Sequence, residues 1–211
     1  MNRIFQIGFN KCGTLSIHNL FNNHTEPALK SLHWENGTLA YNIQQNIDNG
    51  LMPLDGYESI NVFTDMEAQI SDSCKEYYVF IFKNYKLLDK KYPNSRFILN
   101  TRNINNWIIS RLNHKNGLKI HNGRSVKIKN PEPYYISQFK MYNIDSMSKL
   151  ISIWENEWHE HHLDVMNYFR DRSNDLLVFD IETDSFDKFR SFFYDIDFTC
   201  DSLPISNNTK V

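Results

Sequence analysis

The feature that most constrains this fold is an alternation of short apolar segments with amphipathic segments of helical spacing. The apolar runs have the length of buried strands, and they span residues 3–8, 59–64, 96–101 and 176–181. Apolar residues recur at helical intervals in the segments 14–21, 38–47, 75–92, 104–112, 145–169 and 186–193. Strands that alternate with helices predict an α/β fold with three layers, α/β/α, around a central parallel sheet. Ligands of such sheets bind at the carboxyl ends of the strands.

Length and composition indicate one globular domain over residues 1–211, with 41% hydrophobic and 23% charged residues. The sequence contains no run of about 18 apolar residues, so no membrane span is expected. The first ten residues show no signal peptide, so we expect a cytoplasmic protein. Three well-separated cysteines, Cys12, Cys74 and Cys200, argue against a disulfide framework or a paired-cysteine metal site. Residues 113–135 contain Gly and Pro among basic residues and predict a long basic loop or lid.

Charge is distributed unevenly along a chain whose formal net charge is only −2. Residues 75–130 carry thirteen Lys or Arg against two Asp or Glu, whereas residues 141–202 carry five against fourteen. A basic block inside a near-neutral protein favours a small polyanionic ligand, because a cleft lined by one sign of charge concentrates its potential on the ligand. Nucleic acid is not expected as a partner, since no recognition motif is present and the acidic C-terminal third would repel a long phosphate backbone.

The first candidate site is the loop from Gly8 to Ser16, between the first strand and the first helix. Glycines at positions 8 and 13 allow the backbone N–H groups to turn inward, and the N-terminus of the helix adds partial positive charge. The pattern therefore predicts a phosphate cradle. It is not a Walker A loop, because Thr14 follows Gly13 and the lysine lies inside the loop at position 11.

The second candidate site begins at Arg102, where the strand 96–101 ends. Ser110 follows eight residues later, about two turns into the next helix. If that helix packs back toward the end of the strand, a guanidinium and a hydroxyl meet on one anionic group. Alone, this spacing is weak evidence, since arginines at strand ends commonly form structural pairs.

Together the two segments resemble the sulfotransferases that use 3′-phosphoadenosine 5′-phosphosulfate (PAPS), specifically the compact single-domain members of bacterial type. The 5′-phosphosulfate loop of that family runs roughly G-x-x-K-x-G-T-[TS], and four positions match it: Gly8, Lys11, Gly13 and Thr14. The family's 3′-phosphate motif places an arginine at a strand end and a serine eight residues later, as Arg102 and Ser110 stand here. The segments 92–99 and 154–180, and residues 203–204 with Asn207, extend the similarity over most of the chain.

This resemblance implies a P-loop-like fold that binds PAPS and releases adenosine 3′,5′-bisphosphate. The residues expected to bind the nucleotide are Asn10, Lys11, Cys12, Gly13, Thr14, Leu15, Ser16, Arg102 and Ser110. Leu15 stands where the family has a second hydroxyl residue, so Thr14 or Ser16 must supply that contact. The family's C-terminal Arg-Lys-Gly element is absent, and the basic loop 115–129 or the tail around Lys210 is its candidate replacement.

Sulfuryl transfer needs a group that stabilises the leaving oxygen and a base for the acceptor. Lys11 is expected to stabilise the leaving oxygen. Three candidates for the base remain open, in the order Asp65, His33 and Glu67. Asp65 follows the predicted strand 59–64, but it is also suited to cap a following helix. The resemblance implies that no metal is required. The run 159–162 is not a His-Glu-x-x-His motif, and its histidines would face different sides of a helix, which favours a surface or packing role.

The acceptor is expected to be a small molecule or a glycan, with its specificity in the loops 24–36, 50–58 and 113–135. Two other functions remain. One is a P-loop kinase, because residues 176–180 resemble a Walker B strand that ends in Asp180. The other is a non-catalytic nucleotide-binding protein of the same fold.

Overall fold

The computed structural model describes residues 2–72, 75–115 and 117–204. Its strands are β1 (Ile4–Gln6), β2 (Thr25–Glu26), β3 (Ser31–His33), β4 (Val62–Thr64), β5 (Glu67–Asp72), β6 (Lys75–Phe80), β7 (Arg96–Thr101), β8 (Leu118–His121), β9 (Arg124–Lys127), β10 (Leu176–Asp180) and β11 (Asp197–Phe198). Its α-helices are α1 (Thr14–Asn23), α2 (Thr38–Asp48), α3 (Tyr85–Lys91), α4 (Ile104–Leu112), α5 (Tyr134–Tyr142), α6 (Met147–Tyr168) and α7 (Phe186–Phe192). None of the helices in these ranges combines the length and apolar character that a membrane crossing requires.

Five strands form a parallel sheet in the order β10-β7-β1-β4-β3. Successive residues of β1 face opposite sides of this sheet, as the pleat of a strand requires. Ile4 belongs to the apolar cluster that contains Ile17 of α1 and Phe189 of α7. Phe5 belongs to the cluster on the other face, which contains Trp154 of α6. Helices thus cover both faces, and the predicted α/β fold with a central parallel sheet is confirmed.

The order of the sheet places the end of β1 at a point where the connections diverge. From β1 the chain passes through α1 to β3 on one side of the sheet, and after β4 it crosses to β7 on the other side. Loops that leave neighbouring strands in opposite directions open a crevice at their carboxyl ends. The loop after β1 lies at this crevice.

A second sheet was not predicted from the sequence. It has the order β6-β5-β8-β9, with β5 and β6 antiparallel. The prediction of one helix over 75–92 is wrong for its first part, since β6 comes first, a 3-10 helix (Ile81–Asn84) follows it, and only α3 is α-helical. The apolar positions of β6 also satisfy a period of two, because Val79 enters the core while Tyr78 and Phe80 stack on the other face with ring centroids 5.8 Å apart. Pairing with β5 decides between the two periods.

The segment 113–135, predicted as a loop, contains the antiparallel hairpin of β8 and β9 and the start of α5. Ile120 of β8 is buried and pairs in parallel with Ile70 of β5. The hairpin turns at Asn122 and Gly123, both of which have positive φ angles. Asn-Gly is a strong signal for a tight hairpin, and the sequence prediction overlooked it.

Candidate active site

The loop after β1 adopts the curled backbone that the glycine spacing predicts. Lys11 and Gly13 have φ angles of 64° and 77°, both in the left-handed region. Helix α1 begins at Thr14 with no side-chain cap and no acidic residue in its first turn. Its first N–H groups and its partial positive charge are therefore directed to the loop without a competing carboxylate from the helix itself.

Two buried amide side chains hold this loop against the neighbouring strands. Asn100 of β7 accepts a hydrogen bond from the Gly8 N–H at 3.1 Å and donates to the Cys12 carbonyl at 2.7 Å. Gln6 donates to the Gly8 carbonyl at 2.6 Å, while its Oε1 accepts from the Asp65 N–H at 2.8 Å. The network ties the ends of β1, β4 and β7 to the loop. Sequence analysis missed both residues, although a polar residue near the carboxyl end of each apolar strand was a signal.

Gly8 has no room for a side chain in this arrangement. A Cβ atom at Gly8 would lie 2.1 Å from the backbone oxygen of Asn100. We therefore expect Gly8→Ala to lower the free energy of unfolding by about 3 kcal/mol, which corresponds to roughly 10 °C in Tm for a chain of this size. Thermal unfolding measures the effect. Gly117→Ala is the matched control, because nothing lies within 4 Å of its Cβ position. Equal Tm values for the two variants would show that the loop is not packed as described.

A cavity of about 560 Å³ opens at the carboxyl ends of β1, β3 and β4. Most of the predicted site residues line it: Asn10, Lys11, Gly13, Thr14, Leu15, Ser16, His33, Asp65, Glu67, Arg102 and Ser110. Its volume is typical of small-molecule sites. The two predicted segments, distant in sequence, thus share one cavity.

Lys11 brings a positive charge into this cavity. Within the described ranges, its ammonium makes no hydrogen bond and no ion pair. Burial lowers the pKa of Lys11, and the nearby carboxyl groups of Asp65 and Glu67 oppose that shift. A partly buried cation with no direct partner is a group that an anionic ligand would stabilise.

Arg102 also lines the cavity, and its guanidinium already has protein partners. Its Nη1 donates to the Lys11 carbonyl at 3.1 Å, which joins the second motif to the first. Its Nε donates to Oε1 of Glu182 at 2.9 Å, and its Nη2 contacts the same carboxylate. Sequence analysis did not identify Glu182. Ser110 lines the same cavity from α4.

Two acidic side chains and a histidine line the cavity near Lys11. Asp65 has a φ angle of 53°, and β5 follows it, so it does not cap a helix. Burial and, to a smaller extent, the charge of Glu67 raise the pKa of Asp65 to about 8. The charge of Lys11 opposes this shift. Burial also raises the pKa of Glu67, and the charge of Arg111 and a hydrogen bond from Asn10 partly offset this shift.

The third candidate, His33, is neutral at pH 7. Burial lowers its pKa to about 4, helped by the neighbouring His18. The Thr64 hydroxyl donates to the Leu32 carbonyl at 3.2 Å, so it accepts from Nδ1 of His33 at 3.0 Å. The lone pair of Nε2 is then left 3.7 Å from Oδ2 of Asp65. The ring is placed to interact with the Asp65 carboxyl without a formal ion pair.

Sequence analysis also missed Arg111, which lies behind Glu67. This side chain is 2% exposed, and its guanidinium stacks 4.4 to 5.0 Å from the ring centres of Trp107, Tyr134 and Trp154. Its Nη2 donates to the Tyr134 hydroxyl at 2.9 Å. Its charge favours the ionised form of Glu67. The position of an arginine one turn after Trp107 gave the only signal in the sequence.

Other predicted residues lie outside the cavity lining. The Cys12 side chain is fully buried, so only its backbone faces the loop. His161 contacts the Ile7 carbonyl at 2.7 Å, which is a packing role, and no three His, Cys, Asp or Glu side chains in the described ranges converge as metal ligands. Cys74 and Lys210 lie outside the described residues.

Neither a family model nor a curated protein sequence matches this chain.

Proposed function

We propose that this chain transfers a sulfuryl group from PAPS to a hydroxyl or amine of a small-molecule or glycan acceptor, without a metal ion. The observation that carries the proposal is the shared cavity, which brings the Lys11 loop, Arg102 and Ser110 together with the carboxyl groups of Asp65 and Glu67. The loop and α1 also support a P-loop-like site, because the uncapped N-terminus of α1 and the curled backbone of the loop offer N–H donors to an anion.

The donor groups in the cavity fit a nucleotide with anions at two positions. Lys11 and the start of α1 would hold the 5′-phosphosulfate, and Arg102 with Ser110 would hold the 3′-phosphate. The apolar side chains of Ile181, Leu203 and Pro204 line the same cavity and would contact the adenine ring. The donor molecule supplies the sulfuryl group and the phosphate that leaves.

The proposed roles of the protein side chains follow from their positions. Transfer forms a bond from the acceptor oxygen to sulfur and breaks the bond from sulfur to the phosphate oxygen, which keeps the electron pair. Lys11 donates to that leaving oxygen and offsets its charge. Asp65, when ionised, takes the acceptor proton. The neutral His33 lies 3.7 Å from Asp65, and its Nε2 lone pair can accept a hydrogen bond from the Asp65 carboxyl group only while that group is protonated.

The kinase alternative has less support. Asp180, the predicted Walker B carboxylate, lies outside the cavity lining on β10, two strands from β1. Its Oδ1 accepts from the Glu182 N–H at 2.8 Å, so it forms part of the turn that follows the strand. A non-catalytic nucleotide-binding protein remains the other alternative, and transfer assays separate it from an enzyme.

Ligand-dependent thermal unfolding tests the choice of nucleotide. We expect adenosine 3′,5′-bisphosphate at about 100 times its Kd to raise the free energy of unfolding by roughly 2.7 kcal/mol, whereas ADP with Mg²⁺ gives a much smaller shift. The reason is that Arg102 and Ser110 would bind a phosphate that ADP lacks. Preferential stabilisation by ADP with Mg²⁺ would favour a kinase instead.

Transfer of labelled sulfate from PAPS to a panel of glycans, phenols, lipids and peptides then tests catalysis. Labelled product from any acceptor, with release of adenosine 3′,5′-bisphosphate, would support an enzyme. Tight binding of the nucleotide with no transfer to any member of the panel would support the non-catalytic alternative.

A further inference from the structure

The carboxylate of Glu182 accepts hydrogen bonds from several donors at the start of α4. Besides the guanidinium of Arg102, the Asn103 N–H donates to Oε2 at 3.0 Å. The side-chain amide of Asn106 lies 3.1 Å from Oε1 and 3.2 Å from Oε2. One carboxylate therefore receives donors from a guanidinium, a backbone N–H group and an amide. This combination is typical of a site that binds an oxyanion.

Glu182 is ionised in this position at neutral pH. Burial alone would raise its pKa, but the hydrogen bonds from the Asn103 N–H, Arg102 and Asn106 outweigh burial and place the pKa below its ordinary value. The side chain remains 25% exposed, so it can leave the site toward solvent without unfolding of the core. It is thus a charged group in a position that permits displacement.

The same contacts use three of the five N–H donors of Arg102. Its Nε and Nη2 contact Glu182, and its Nη1 donates to the Lys11 carbonyl. A phosphate group beside Arg102 would have to share the guanidinium with this carboxylate or replace it. Two anions in contact with one cation repel each other, so the second would bind more weakly than the first.

We propose that Glu182 is a specificity-determining residue that competes with the 3′-phosphate of the nucleotide for Arg102 and the start of α4. This inference rests on the proposed function, because it assumes that Arg102 faces the nucleotide. The carboxylate of Glu182 balances the charge of Arg102 in the free protein. A nucleotide with a 3′-phosphate displaces it, and a nucleotide without that phosphate leaves it in place.

The consequence is a difference in affinity that depends on the 3′-phosphate alone. Removal of the negative charge of Glu182 should strengthen the binding of adenosine 3′,5′-bisphosphate, because the incoming phosphate no longer meets a carboxylate. Binding of adenosine 5′-monophosphate should be nearly unchanged, since its phosphate is held by the Lys11 loop. Hydrogen bonds that involve charged groups are strong enough for an effect of about tenfold.

Calorimetric titration of the full chain with both nucleotides tests the proposal. For Glu182→Gln we expect the Kd of adenosine 3′,5′-bisphosphate to fall by about tenfold and that of adenosine 5′-monophosphate to change less than twofold. Glu160→Gln, at an exposed position of α6 outside the cavity lining, is the control for the change in net charge. Glu182→Ala gives a second measurement if the glutamine variant fails to fold.

The possible failures are distinguishable. If both nucleotides bind the unmodified protein but the Glu182 variants leave their affinity ratio unchanged, the role of Glu182 is wrong and the proposed function stands. A weaker affinity of these variants for adenosine 3′,5′-bisphosphate would show that Glu182 supports the nucleotide site rather than competing for it. If neither nucleotide binds the unmodified protein, both the proposed function and this inference fail.

Discussion

Replacement of Lys11 by methionine is expected to lower the turnover of sulfate transfer from PAPS by about a hundredfold to a thousandfold, the usual cost of losing one preorganised donor to a developing negative charge. The ammonium lines the cavity at the start of α1, and it makes no ion pair with any described residue. Its charge is therefore available to a leaving phosphate oxygen. Methionine is one atom shorter than lysine but is also unbranched and flexible, and it removes the charge and the donors. Initial rates with labelled PAPS measure the change.

Lys30→Met is the matched control, because Lys30 is exposed and lies outside the cavity lining. This variant should retain the turnover of the unmodified protein. Thermal unfolding of Lys11→Met should match that of the control, since the Lys11 ammonium makes no hydrogen bond within the described residues. Turnover of Lys11→Met within a few-fold of the control would exclude Lys11 from the chemistry and remove the main support for sulfuryl transfer.

The elements of the central sheet could be predicted because their signals are local. The segment 96–101 matches β7, and 104–112 matches α4, residue for residue. Both have unbroken periodicity and clear boundaries, such as the Asn103 side chain that caps the helix. Local hydrophobic patterns of this kind survive tertiary packing, since burial follows the same period.

The second sheet could not be predicted because its pairing is not local. Strand β5 pairs with β8, which lies about fifty residues later in the chain. Its neighbour β6 has an apolar pattern that fits a helix as well as a strand, and only contact with β5 decides between them. A turn signal at Asn122 was present, but its importance depends on strands that the pattern alone does not define.

The candidate site was partly predictable for a topological reason. The carboxyl ends of parallel strands meet at one edge of the sheet, so Lys11 after β1, Asp65 after β4 and Arg102 after β7 come together. The partners of these groups depend on tertiary contacts between distant segments. Glu182 lies eighty residues from Arg102, and nothing in the local sequence indicates that its carboxylate accepts hydrogen bonds from the guanidinium.

Replacement of Asp65 by asparagine is expected to lower turnover by about two to four orders of magnitude, the usual range for a general base. Asp65 lines the cavity with Lys11, and the backbone N–H of Asp65 donates to Gln6, which fixes its position beside the loop. Burial raises the pKa of its carboxyl group to about 8. Because only the ionised carboxylate accepts a proton, kcat/KM of the unmodified protein should increase as the pH rises toward about 8 and level off above it.

Glu67→Gln separates Asp65 from the other carboxyl group in the cavity. The charge of Glu67 raises the pKa of Asp65, so its removal should shift the pH profile toward lower pH while most of the turnover at high pH remains. The residual activity of Asp65→Asn should lack the rise toward pH 8. The opposite pattern, with turnover lost in Glu67→Gln and retained in Asp65→Asn, would make Glu67 the base, although burial raises its pKa and Arg111 and Asn10 only partly offset that shift. Turnover unchanged in both variants would leave His33 as the remaining candidate, and a His33→Gln variant would then be the one to lose activity.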